Sequence, residues 1–139
     1  MVKSISEILR ELNNTRAKGD KIRFMQAYKN NKAFMTILKY AFDPKIEFLL
    51  PEEDPPYTPA TEPDMEPRLY NEARKLYTFT KRGAPNLSQK RREAIFVQVL
   101  ENVDKEDAKL LLCVKNKQLP YKNLTPELVE EAFPGFLDS

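Results

Sequence analysis

Five cations fall within twelve residues of this chain: Lys81, Arg82, Lys90, Arg91 and Arg92. Lysine and arginine at that density do one kind of chemistry well. They neutralise the phosphates of a polyanion, and each contact steepens the salt dependence of binding. The competing reading is a solvated helix start, which is what most charge runs are. The two weigh about evenly, and on the binding reading the cluster grips nucleic acid. Reversing Arg91 and Arg92 to glutamate is then expected to abolish binding and leave the fold intact. A looser set, Lys18, Lys21, Arg23, Lys29 and Lys32, fits a solvated surface better.

Other chemistries are excluded by what is missing. The chain has no histidine and one cysteine, Cys113. That removes the commonest general base, Ser-His and Cys-His nucleophilic pairs, and a conventional zinc site. It also removes any internal disulfide. Cys113 lies in the apolar run 110–114, reads as a small buried hydrophobe, and suits a reducing compartment. No glycine-rich phosphate loop is present, so no enzyme, cofactor or metal is expected. Glu52, Glu53, Asp54, Glu62, Asp64 and Glu66 are interleaved with prolines rather than held at the fixed spacing of a metal loop. They suit a docking segment for a protein partner, with Glu52, Glu53, Asp54 and Tyr57 as its contacts, or an internal mimic of a polyanion. Among the aromatics, Tyr57 and Tyr121 fall in expected loops and are free to stack, whereas Tyr70 and Tyr77 sit beside Leu69 and Leu76 and read as core. Phe133 and Phe136, near the end, are expected to pack at home.

The charges are blocked. Residues 1–46 carry ten basic and four acidic side chains, and residues 47–67 carry seven acidic and no basic ones. Residues 68–92 carry eight basic and one acidic, and residues 93–139 carry five basic and nine acidic, so a formal net charge of +2 hides a sided molecule. No stretch approaches the roughly 20 apolar residues of a membrane span. Glu7 stands where a signal peptide would be apolar. A soluble cytoplasmic protein is expected.

These residues need elements to position them. At 139 residues, with three glycines, the chain suits one helical domain, 1–139. Ser4 and Glu7 form a capping box ahead of Ile5, Ile8, Leu9 and Leu12. Gly19 ends a turn and Asp20 caps a second helix over 21–29. Ala33, Phe34, Ile37, Leu38, Ala41 and Phe42 form a third stripe, broken by Asp43-Pro44. Six prolines fall within 51–67, which reads as an acidic, partly extended loop packed on the domain. A fourth helix is expected over 66–80. Ser88 or Asn86 caps a fifth running to Leu100, Asp104 with Asp107 caps a sixth over 105–115, and Thr125-Pro126 opens a seventh. The class is all-α, about seven helices and no convincing strand.

In this order the pieces resemble the N-terminal helical DNA-binding domain of the ATP-dependent DNA ligases of tailed phages. The similar segments are 5–12 (ISEILREL), 21–30 (KIRFMQAYKN), 38–44 (LKYAFDP), 104–111 (DKEDAKLL) and 128–137 (LVEEAFPGFL). The resemblance implies a stand-alone accessory protein of phage type, without the ligase's K-x-D-G adenylation lysine. It would bind double-stranded or nicked DNA through phosphates and the minor groove. It also brings in Lys117 and Lys122, from the loop before the closing helix, as helpers to the main cluster. Glu127, Glu130 and Glu131 depart from the family's pattern, because carboxylates there would repel a phosphate track. The alternative is a protein-interaction module that docks on a host or replication protein through its acidic loop.

Overall fold

A computed structural model describes residues 3–61 and 67–137. Among them are seven α-helices and one 3₁₀ helix: α1 (Ile5–Asn13), α2 (Lys18–Ala27), α3 (Lys32–Phe42), α4 (Leu69–Glu72), the 3₁₀ helix (Ala73–Phe79), α5 (Gln89–Asn102), α6 (Lys105–Lys115) and α7 (Pro126–Ala132). The all-α class is as expected. The only sheet-like feature among the described residues is one antiparallel bridge, Phe48 to Thr80. There the Leu49 N–H donates to Phe79 O at 2.8 Å and the Lys81 N–H to Glu47 O at 3.0 Å. Residues 51–61 form neither helix nor strand. Glu62, Pro63, Asp64 and Glu66, from the acidic set and the expected start of the fourth helix, lie outside the described residues.

Local chemistry sets most helix starts. The Glu7 N–H donates to Ser4 Oγ at 3.2 Å, and that hydroxyl donates to Glu7 Oε1 at 3.3 Å. The Phe34 N–H donates to Asn31 Oδ1 at 3.0 Å, the Arg91 N–H to Ser88 Oγ at 3.3 Å and the Leu128 N–H to Thr125 Oγ1 at 3.1 Å. Each satisfies a donor that the helix itself leaves orphaned. The stripes these caps launch are buried: Ile5, Ile8, Leu9 and Leu12 on α1, and Ala33, Phe34, Ile37, Leu38 and Ala41 on α3. Helix α6 packs against α1, α3 and α5 and supplies Ala108, Leu110, Leu111 and Val114 to the core. Cys113, beside them, is only half-buried.

Two elements depart from expectation for identifiable reasons. Helix α2 begins at Lys18, so Gly19 and Asp20 lie inside its first turn, and Ala17 offers it no side-chain cap. Its support is tertiary. Met25 is fully buried, Gln26 Nε2 donates to Ala132 O at 3.1 Å, and Lys18 pairs with Glu131 at 2.7 Å. The segment expected as one helix over 66–80 is a single α turn followed by the 3₁₀ helix. Its buried residues Ala73, Leu76 and Phe79 are three apart. That spacing aligns on one face at 3.0 residues per turn and drifts at 3.6. The tighter winding also turns Tyr77 off the core face. It is 51% exposed, contrary to its reading as a core residue.

Asp107 does not help to cap α6. Asp104 does so alone, accepting the Glu106 N–H at 3.0 Å. Asp107 is fully buried, and its Oδ1 accepts the Ser6 hydroxyl at 2.5 Å and the Ser6 N–H at 3.1 Å. This joins the first turn of α1 to the first turn of α6. Replacing Asp107 by alanine strands both Ser6 donors in the core and is expected to cost about 2–3 kcal/mol. Asparagine, which keeps an acceptor oxygen, is expected to cost less. Urea denaturation of the two variants checks this order.

Candidate nucleic-acid interface

The expected cation cluster divides into an inside and an outside. Arg92 is 3% exposed. Its Nε donates to Thr78 O at 3.2 Å, Nη2 to Ala84 O at 2.8 Å and to Leu87 O at 3.1 Å, and Nη1 to Gln89 Oε1 at 2.6 Å. The planar fork of donors makes such a multi-carbonyl grip specific to arginine. Arg92 is therefore not a phosphate contact, and reversing it would break the loop that carries the rest of the cluster.

That loop starts with a tight turn. The Gly83 N–H donates to Thr80 Oγ1 at 3.1 Å, and that hydroxyl donates to Tyr77 O at 2.9 Å. A side chain on Gly83 would meet Tyr77 O at 2.2 Å, so only glycine fits. Lys81 and Arg82 are carried on this turn and exposed. Lys81 lies 3.8 Å from Glu47, with both side chains well exposed, a pair worth little in water. Arg82 borders a recess of about 250 Å³ with Lys39, Tyr40 and Asp43. Lys90 and Arg91 are exposed in the first turn of α5, which holds no acidic residue. Arg92 thus ties the Lys81–Arg82 turn to the Lys90–Arg91 turn as one ledge.

The two helper lysines do not join that ledge. Lys117 has a positive φ of 58° and its Nζ donates to Asp43 O at 2.5 Å while lying 5.8 Å from the Phe48 ring centre. Burial lowers its pKa, with the nearby Asp43 opposing. It is an internal tie rather than a free phosphate contact. Lys122 is exposed, but its neighbour Asn123 bonds to Asn13 and accepts from Lys21 Nζ at 3.4 Å. It therefore belongs to the α1–α2 corner. Two of the carboxylates expected to repel phosphates are engaged at home. Glu131 pairs with Lys18, and Glu130 accepts the N–H groups of Gly135 at 2.7 Å and Leu137 at 3.3 Å. The closing residues pack as expected, with Leu137 buried and Lys39 Nζ donating to Phe136 O at 2.6 Å.

A further buried cation, Lys115, escaped the sequence reading. Its Nζ donates to Glu52 O at 2.9 Å and Asn116 Oδ1 at 3.0 Å, with Asp54 3.9 Å away. Burial lowers its pKa against the pull of Asp54 and Glu52. The acidic segment is thereby docked by its backbone, while Glu52, Glu53 and Asp54 stay exposed. Tyr57 and Tyr121 are half-buried against the core rather than free to stack, and burial is the main cause of the raised pKa of each phenol. Among the described residues, the exposed large hydrophobic side chain is Tyr77.

Fold and surface together define a small all-α domain that presents a braced cationic ledge. Residues 8–121 match DUF6433, a family of unknown function, and the chain belongs to that family. No curated protein matches it. Among the described residues, no helix is long and apolar enough to cross a membrane.

Two predictions follow from this division of the cations. Arg92→Ala, which removes the donor from three part-buried carbonyls, is expected to lower stability by about 2–4 kcal/mol. Arg91→Ala is expected to stay within about 0.5 kcal/mol of the parent. Thermal melts of the pair check this, and equal melts would refute the inside–outside division. The pH dependence has a definite sign. The lowered pKa of Lys115 and Lys117 makes the unfolded chain bind more protons, so their contribution to stability rises with pH and is complete near the ordinary value of 10.5. Burial raises the phenol pKa of Tyr40, Tyr57, Tyr70 and Tyr121 above 10.0, so their contribution is lost as pH climbs past that value. With no histidine in the chain, the melting temperature is expected to vary little from about pH 6 to 9 and to fall above about 10.5.

Proposed function

We propose that this protein is a non-enzymatic accessory that binds DNA through its phosphates with little sequence preference. The observation that carries this reading is the ledge. Lys81, Arg82, Lys90 and Arg91 are exposed on two turns that the buried Arg92 guanidinium fixes to each other. Cations held on a braced backbone lose less conformational freedom on binding than cations on a loose loop. Placing Lys90 and Arg91 at a helix N-terminus opposes the macrodipole, a small folding cost that a bound polyanion would relieve. Contacts of this kind position a nucleic acid without reading its bases. The resemblance to the ligase DNA-binding domain supports the same reading, and so a phage-type accessory role.

A second reading has an observation of its own. Lys115 holds the acidic segment by the Glu52 carbonyl and leaves three carboxylates outward, as a docking site for a basic protein partner would require. Replacing Glu52, Glu53 and Asp54 by their amides keeps that backbone bond and would abolish such docking.

The deciding experiment is an anisotropy titration against intact, nicked and single-stranded DNA at low and physiological salt. Binding is expected to weaken steeply with salt. In the double variant Lys90→Glu with Arg91→Glu, affinity is expected to fall at least about tenfold and the salt slope by about 1.8 for two lost phosphate contacts. Its melting temperature should not drop, because glutamates suit a helix N-terminus. Unchanged affinity in that variant would overturn the site.

A further inference from the structure

Tyr77, three residues before the Lys81–Arg82 turn begins at Thr80, has half of its surface in solvent. Along a 3₁₀ helix, side chains three apart eclipse, so the exposed Arg74 lies in register with it. The turn carrying Lys81 and Arg82 comes back onto the Tyr77 backbone. The Thr80 N–H and Thr80 hydroxyl both donate to Tyr77 O, at 3.2 and 2.9 Å, and Gly83 is packed against the same carbonyl. On the other side, Arg92 Nε holds Thr78 O and brings in the first turn of α5. The backbone on both sides of the ring is therefore clamped, and it is joined there to the turns that carry Lys81, Arg82, Lys90 and Arg91.

We infer that Tyr77 is a stacking platform for an unpaired nucleobase, and that the ledge accordingly takes nucleic acid with unpaired bases rather than closed duplex. The inference rests on the phosphate-binding reading above and names the substrate class of that same site. Cations that track a backbone, set beside an aromatic face, are how proteins hold single strands without sequence preference, because every base offers a π-face. A closed duplex keeps those faces stacked inside and leaves the ring nothing to meet. A phenol also serves well here because it offers a large flat surface with little rotamer freedom to lose.

The test compares three probes: a single-stranded oligonucleotide, the same strand with every base removed, which keeps its length and charge, and a blunt duplex of half that length, which carries about the same number of phosphates. Anisotropy is read with the parent protein, Tyr77→Ala and Tyr77→Phe. The parent is expected to bind the single strand more tightly than the abasic strand. Tyr77→Ala is expected to weaken the single strand by about 5- to 150-fold and leave the abasic strand unchanged. Tyr77→Phe, which keeps the ring, is expected to retain parental affinity. Equal parental binding of strand and abasic strand, or an alanine variant that binds the strand like the parent, overturns the stacking role while phosphate binding stands. Failure of the parent to bind any probe at low salt overturns the phosphate-binding reading and this inference together, and would hand the exposed aromatic to a protein partner.

Discussion

The structure depends most on one buried guanidinium. Arg92 sits in the first turn of α5, where the helix already presents positive partial charge and a cation is least welcome. The fold resolves the conflict by aiming four hydrogen bonds into carbonyl and amide oxygens of the 3₁₀ helix, the following loop and the helix start. A buried charge so bonded adds little net stability compared with a well-packed apolar residue, yet removing it is severe, because the acceptors are then left dry. What the arrangement specifies is geometry. It fixes the distance between two exposed basic turns and the pose of the residues flanking Tyr77.

The same device recurs at smaller scale. Lys39 donates to Phe136 O, Lys115 to Glu52 O and Lys117 to Asp43 O, each tying an irregular segment to a helix or its exit. With one bridge in place of a sheet among the described residues, and three glycines in the chain, loop carbonyls have few backbone donors to meet. Long cationic side chains reach them instead, burying their methylene stems on the way. Part of the basic excess in residues 1–46 and 68–92 is therefore structural. A charge count alone overstates the surface potential, since it cannot tell a lysine that faces water from one that faces a carbonyl.

The helices were largely legible in the sequence because their signals are local. Ser4, Asn31, Ser88, Asp104 and Thr125 each act within three residues of themselves, and the stripes on α1 and α3 keep helical spacing. Helix α2 was harder because its start lacks a cap and its support comes from α7, far along the chain. The winding of residues 73–79 was harder still, since α and 3₁₀ patterns diverge by a fraction of a residue per turn. The site was half legible. The cluster stood out by density, but which cations turn inward is a matter of phase. Arg92 precedes Phe96 by four and Val99 by seven, and Lys115 follows Leu111 by four and Ala108 by seven, so both lie on buried stripes. Reading charged residues with the same periodicity as apolar ones would have separated them from Lys90, Arg91 and Lys109. Asp107 carries the same phase, preceding the buried Leu111 by four and Val114 by seven, but its partner Ser6 lies 101 residues away and leaves no local trace.

The path of the acidic segment adds a constraint on how a polyanion could lie. Gln89 Nε2 donates to Leu49 O at 2.8 Å at the start of α5, and Glu101 Oε2 accepts the Thr58 N–H at 2.8 Å near its end. Nine residues thus run alongside about 18 Å of helix, well within the roughly 28 Å that an extended proline-rich stretch can reach. The exposed Glu52, Glu53 and Asp54 lie on this strap, so α5 carries cations at its head and carboxylates along one flank. A Debye length of about 8 Å at physiological salt keeps these opposite fields local rather than cancelling them across the molecule. On the proposed reading, a phosphate chain held at the ledge is repelled from the strap side and finds its open approach over the 3₁₀ helix, where Arg74 and Tyr77 are exposed. A short flexible strand can turn that way after a few phosphates, whereas a stiff duplex would continue along its axis. The strap therefore favours the same class of ligand as the exposed ring, and it does so by exclusion rather than by contact.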